Sequence, residues 1–183
     1  MKKVLYIFCC IIILWPVRNL MANSTGDYLA EVCEMQIRVT SPAFNNEDFI
    51  PSKYTCEGKD IMPPLAWEGV PENTLSLVLI VDDPDAPSGT FTHAIFFNIE
   101  PQKRGIEEGE SPGVAGVNDF GRLGYGGPCP PKGHGPHRYY FKVYALDISS
   151  LNLKSGAHKS AVEKAIKGHI LAYGELIGKY ERK

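Results

Sequence analysis

The chain has 183 residues, enough for one domain with a real core, and carries 19 Lys and Arg against 21 Asp and Glu. That balance excludes a protein drawn to nucleic acid by its overall field, and no basic run supplies a local attraction.

The first 22 residues have the order of an export leader. Lys2 and Lys3 precede an unbroken apolar run over 4–14, then Trp15 and Pro16, and Ala22 offers a small residue for cleavage. The apolar run is shorter than the roughly 20 residues that span a bilayer as a helix. An uncleaved anchor is the alternative, kept open by Arg18 and by Leu20 at the cleavage site. Cys9 and Cys10 lie inside the run, too early for a lipid-modified terminus. Loss of the leader removes three cations and no acid, so residues 23–183 carry 16 Lys and Arg against 21 Asp and Glu. Those residues are expected to form a single soluble domain without a transmembrane segment, periplasmic or secreted.

Residues 23–31 show no pattern. Met35, Ile37 and Val39 alternate with polar residues, which predicts a half-buried strand. Residues 41–59 are polar, with Pro42 and Pro51, and read as loop. TLSLVLIV at 74–81 predicts a central strand, being β-branched, short and closed by Asp-Asp-Pro. FTHAIFFNI at 91–99 and RYYFKVYALD at 138–147 predict two more, the last with Phe141, Val143 and Ala145 on one face. Residues 105–135 are crowded with Gly and Pro and read as a long functional loop. From Ala157 onward helix formers dominate, which predicts two short helices divided at Gly168. Strands first and helices last imply a mostly β, α+β domain.

Three cysteines follow the leader, in a compartment where disulfides persist. Cys56 and Cys129 both sit in Pro/Gly-rich loops and form the expected pair; a buried free thiol is the alternative for each, Cys33 included.

Four segments can carry chemistry. Asp83-Pro84-Asp85-Ala86-Pro87 follows the most apolar strand, and its prolines stiffen a turn that aims two carboxylates. Ala86-Pro87 is a candidate cis bond. His93 lies within an apolar strand, where a satisfied core histidine is the plainer reading. His137 opens a strand directly after the Gly/Pro loop, and Tyr139 points to the same face. An imidazole and a phenol on one face can both donate to an oxyanion. His134 is expected to be exposed in the loop. Zinc is disfavoured because no close His pair or Cys-x-x-Cys is present, and a hydrolase because there is no Gly-x-Ser-x-Gly. A non-covalent anion site needs neither, so no cofactor, no metal and no catalytic residue are expected.

DPDAP, the strand histidine, GGPCPP at 126–131 and GPHRYYFKVYALD at 135–147, in that order, resemble the phosphatidylethanolamine-binding protein family. The likeness is to its bacterial, Raf-kinase-inhibitor-like branch, and YTCEGKDIMPPLAW at 54–67 matches that branch's loop except at Ile61-Met62, where Ser is common. The resemblance spans about residues 37–180. It implies antiparallel Greek-key sheets with peripheral helices and a small pocket for phosphate-like or phospholipid head-group anions. Carried over, the ligand-binding residues are Asp83, His93, His137 and Tyr139, with Pro128 and Pro130 in the pocket wall. The C-terminus differs from eukaryotic members, so no lid residue is assigned there. The resemblance also allows an interaction module that inhibits an enzyme partner, kinase or protease.

Overall fold

A computed structural model describes residues 37–183. The expected leader at 1–22, the stretch 23–31, Cys33 and Met35 lie outside the described residues.

The apolar run at 74–81 becomes strand β3, Ser76–Asp83, and all eight of its residues are buried. A strand is buried along its whole length only when both faces of its sheet are covered. Leu77, Leu79 and Val81 pack with Val39, Leu65 and Trp67 on one face; Val78 and Ile80 pack with Val162 and Ile166 on the other. Each such side chain stabilises by about 1.5–3 kcal/mol when fully buried, so β3 anchors the fold.

The strands β4, Phe91–Ile99, and β7, His137–Leu146, flank β3 on its two sides. The five-stranded antiparallel sheet is completed by β6, Val114–Ala115, beside β4 and by β8, Ile170–Tyr180, beside β7. A second sheet of β1, Arg38–Thr40, β2, Leu65–Glu68, and β5, Gly105–Ile106, covers one face. Helix α1, Lys159–Ile166, covers the other through Val162 and Ile166. The mostly β class and the three central strands agree with expectation.

The C-terminus does not. Only the first of the two expected helices forms; Gly168 turns the chain at φ +83° and β8 follows. The inward positions of β8 are Ala172, Gly174, Leu176, Gly178 and Tyr180. A Cβ on Gly174 would collide with the Ile37 carbonyl, and one on Gly178 with Ile50 and Phe44. The crossing chain thus demands glycine where a strand would normally show large apolar residues. Leu171, Tyr173 and Ile177 point the other way, so the period of two is hidden in the sequence.

Ala86-Pro87 is trans, since no cis peptide occurs among the described residues. The 105–135 loop is ordered by β5, β6 and the buried side chain of Asn118. Asn118 donates to the Gly124 carbonyl at 3.0 Å and accepts the N–H groups of Phe120 and Arg122. Cys56 and Cys129 are joined in a disulfide with Cα atoms 5.4 Å apart.

Candidate functional site

Strand alternation decides which aspartate serves the pocket. Asp83 shares the face of Leu77, Leu79 and Val81, whereas Asp82 points to the helix side and meets Lys142 at 3.2 Å and Lys159 at 3.0 Å. Because β7 runs antiparallel to β3, with Asp82 opposite Tyr140, the start of β7 lies at the end of β3. His137 therefore reaches Asp83, and its Nδ1–H donates to Asp83 Oδ2 at 2.8 Å. Asp83 Oδ1 accepts the Asp85 N–H at 2.8 Å. Both oxygens of this buried carboxylate are thus committed, and its role is to fix the orientation of His137.

His93 arrives by a bulge. Val81 pairs with Ala94 and Asp82 with Thr92, so His93 is the extra residue in β4. Strict alternation from Phe96 and Ala94 would have turned it to the helix side. The bulge turns it instead toward Tyr139, whose ring centroid is 5.1 Å away. Its Nδ1–H donates to the Gly126 carbonyl at 2.6 Å, and Phe91 and Phe120 flank the ring at 5.2 and 5.5 Å.

These groups line a cavity of about 270 Å³. The turn at 86–89 forms one side, Phe91 and Phe120 another, and Cys129, Pro130 and Pro131 a third. The turn is clamped to β7 by Asp85, which accepts from Arg138 Nη2 at 2.7 Å, from Nε at 2.9 Å and from its backbone N–H at 2.9 Å. The Arg138 hydrogen bonds hold the Asp85 carboxyl down at about 2. The disulfide ties the third wall to the loop that carries Cys56.

Of the six expected ligand residues, Asp83, His93, His137 and Pro130 line the cavity, and Pro128 and Tyr139 do not. Pro128 instead accepts the Cys56 N–H at its carbonyl at 3.1 Å. Tyr139 shares the His137 face, but that face runs from the rim into the core, and Tyr139 is fully buried behind His93. Among the described residues its hydroxyl makes no hydrogen bond of good geometry, and burial followed by the nearby Asp83 pushes its pKa well up. His134 is exposed, as expected, yet its Nδ1 lies 3.0 Å from His137 Nε2. Sequence spacing gave no sign of that contact, because Gly135 and Pro136 intervene and the loop must double back. The aromatic walls were also missed; Phe91 sits two residues before His93, which was the available signal.

Burial pushes the His93 pKa down, opposed by the Gly126 carbonyl and by Asp83, so this ring is neutral near pH 7. Among the described residues lining the cavity there is no Lys or Arg. Among the described residues no group of three or more His, Cys, Asp or Glu could hold a metal ion, and no helix is long and apolar enough to cross a membrane. The arrangement is a small, largely apolar cavity with imidazoles at its polar end.

Comparison with known proteins places this geometry in context. A family profile described as phosphatidylethanolamine-binding protein matches residues 40–181. A UPF0098 protein of Pyrococcus horikoshii is 56% identical over 158 residues, covering 82% of this chain and 79% of that one. Another from Aquifex aeolicus is 53% identical over 152 residues, covering 80% and 89%. Among solved structures, a putative phosphatidylethanolamine-binding protein homolog from Chlamydia trachomatis superposes with a TM-score of 0.76 at 42% identity, covering 82% of this chain and 100% of that one. E. coli YbcL, described as a new member of the mammalian family, gives 0.76 at 33% identity over 81% and 99%.

Proposed function

Since the chain belongs to the phosphatidylethanolamine-binding protein family, we propose that it is an exported binding protein, not an enzyme, whose cavity takes a phosphate-like anion, free or as a head group. The observation that carries the reading is the Asp83–His137 pair beside His93 at the polar end of the cavity. An imidazole whose Nδ1–H is held by a buried carboxylate donates to an oxyanion from Nε2 when that nitrogen takes a proton, and the carboxylate favours that charged form. The volume supports a small ligand. At about 30 Å³ per water, 270 Å³ holds a head group and leaves acyl chains outside. Export rests on the leader at 1–22 and implies a periplasmic or secreted protein.

The test is an NMR titration of the mature protein with phosphoethanolamine and with inorganic phosphate. Imidazole resonances of His93 and His137 should shift, and His137→Gln should abolish the response. Absence of shifts with both ligands refutes the reading. Turnover of a phosphate ester that disappears in His93→Ala would refute the non-enzymatic part. Recovery of the protein in the cytosol with its leader intact would refute export.

A further inference from the structure

The cavity is unusual for an anion site in what lines it. Among the described residues its lining holds one carboxylate, two imidazoles, a serine and no permanent cation. Asp83 has both oxygens engaged. Pro87, Pro130 and Pro131 have no N–H to give. Cys129 is in a disulfide and has no thiol proton. His93 spends its Nδ1–H on the Gly126 carbonyl at 2.6 Å, so the end of the ring it turns to the cavity is the bare Nε2, a lone pair. Gly127 also brings a backbone group near the ring, but among the described residues no side chain bonds to that nitrogen. A phosphate dianion placed here would set one of its charged oxygens against a lone pair, beside a carboxylate, with no Lys or Arg to offset either.

We propose that the pocket selects a phosphate monoester in its hydrogen-phosphate, singly charged form, whose own P–O–H donates to His93 Nε2 while His137, its Nδ1–H held by Asp83, takes a second proton and donates from Nε2 to an ionised oxygen in place of its contact with His134. This rests on the phosphate-like reading above and narrows it to monoesters. A phosphodiester carries one charge and no O–H, so the head group of an intact phospholipid lacks the donor this site calls for. The titratable and charged groups around His93 are consistent with a ring that stays neutral. Asp83 and, on the opposite face, Asp82 come from β3; His137 and Tyr139 come from β7. Asp119 and Arg122 come from the loop behind Phe120, where Asp119 accepts the Thr92 N–H and Arg122 stacks on Phe120 and pairs with Asp60. His134 stands at His137. Burial outweighs the two aspartates in setting the state of the ring.

The experiment compares methyl phosphate, methyl sulfate and dimethyl phosphate by calorimetry and imidazole NMR between pH 5 and 8, with phosphoethanolamine as the reference ligand. All three small esters are near in size, and only methyl phosphate carries an O–H, which it loses near pH 6. Methyl phosphate should bind about tenfold or more tightly than the other two at pH 5.5, the worth of a donor facing a buried acceptor. Its affinity should then fall by about tenfold per pH unit above pH ~7 as the dianion takes over. In the free protein, ¹⁵N shifts should show His93 protonated at Nδ1 and bare at Nε2 throughout pH 6–8. Equal binding of methyl sulfate or dimethyl phosphate, affinity that rises with pH, or a protonated Nε2 in the free protein each overturns the inference while leaving the phosphate-like reading in place. Failure of phosphoethanolamine and all three esters to bind overturns both.

Discussion

Removing the Cys56–Cys129 disulfide by Cys56→Ser with Cys129→Ser should lower stability substantially without erasing the native pocket. The bridge closes a loop of 73 residues. In the chain-entropy account a loop of that length costs the unfolded chain about 14.9 cal/mol/K, which is about 4.4 kcal/mol at 25 °C. The native side of the balance changes less. Cys56 is exposed, and its N–H still donates to the Pro128 carbonyl at 3.1 Å. The Tyr125 hydroxyl still donates to the Tyr54 carbonyl at 2.9 Å, and the Gly127 N–H to Asp60 at 2.6 Å. These contacts keep the pocket wall against the neighbouring loop after the covalent link is gone. At roughly 2–4 °C per kcal/mol for a domain of this size, the melting temperature should fall by about 9–18 °C. Guanidinium unfolding of the mature protein and the double variant, followed by far-UV circular dichroism, measures the difference. A loss below about 1 kcal/mol would refute the loop-closure argument. A normal stability with lost phosphate binding would show that the bridge shapes the wall rather than restraining the unfolded chain.

Two other predictions follow from the site. Asp85 is held down at about 2 by the Arg138 hydrogen bonds, so its ion pair stabilises the fold above its unfolded value of about 3.9 and is lost as pH falls from about 4 to about 2. Asp85→Asn should therefore be less stable than the parent at pH 6, with the gap closing through that acid window; a pH-independent gap in urea midpoints would contradict it. His134 holds the one nitrogen of His137 that Asp83 leaves free. Its truncation in His134→Ala should tighten phosphate binding about two- to tenfold, the net worth of one hydrogen bond. Weaker binding by calorimetry would instead make His134 a ligand donor.

The C-terminal segment shows why parts of the fold were not legible. Lys, Glu, Ala and Ile after Ala157 have helix-forming side chains throughout, and for Lys159–Ile166 that preference prevails. Beyond Gly168 it is overridden, because pairing with β7 satisfies a full strand of backbone groups and the crossing chain excludes side chains at Gly174 and Gly178. Local propensity is weak, at under about 1 kcal/mol per residue, against tertiary burial. In the site, Pro128 and Tyr139 carry motif letters of the family, yet neither lines the cavity. Position in a motif does not say which way a carbonyl or ring turns.

By itself the sequence determined the three central strands, because runs such as TLSLVLIV at 74–81 are too apolar and too short to be stable except as buried strands. It also singled out Asp83, His93 and His137 as candidates, through the ordered motifs that carry the family resemblance. Only the tertiary structure decided how those three meet. The bulge that turns His93 across the sheet, the register that brings His137 to Asp83 and the folding back of His134 are long-range pairings. Such pairings depend on which backbone groups find partners across the sheet, and no local run of residues encodes that choice.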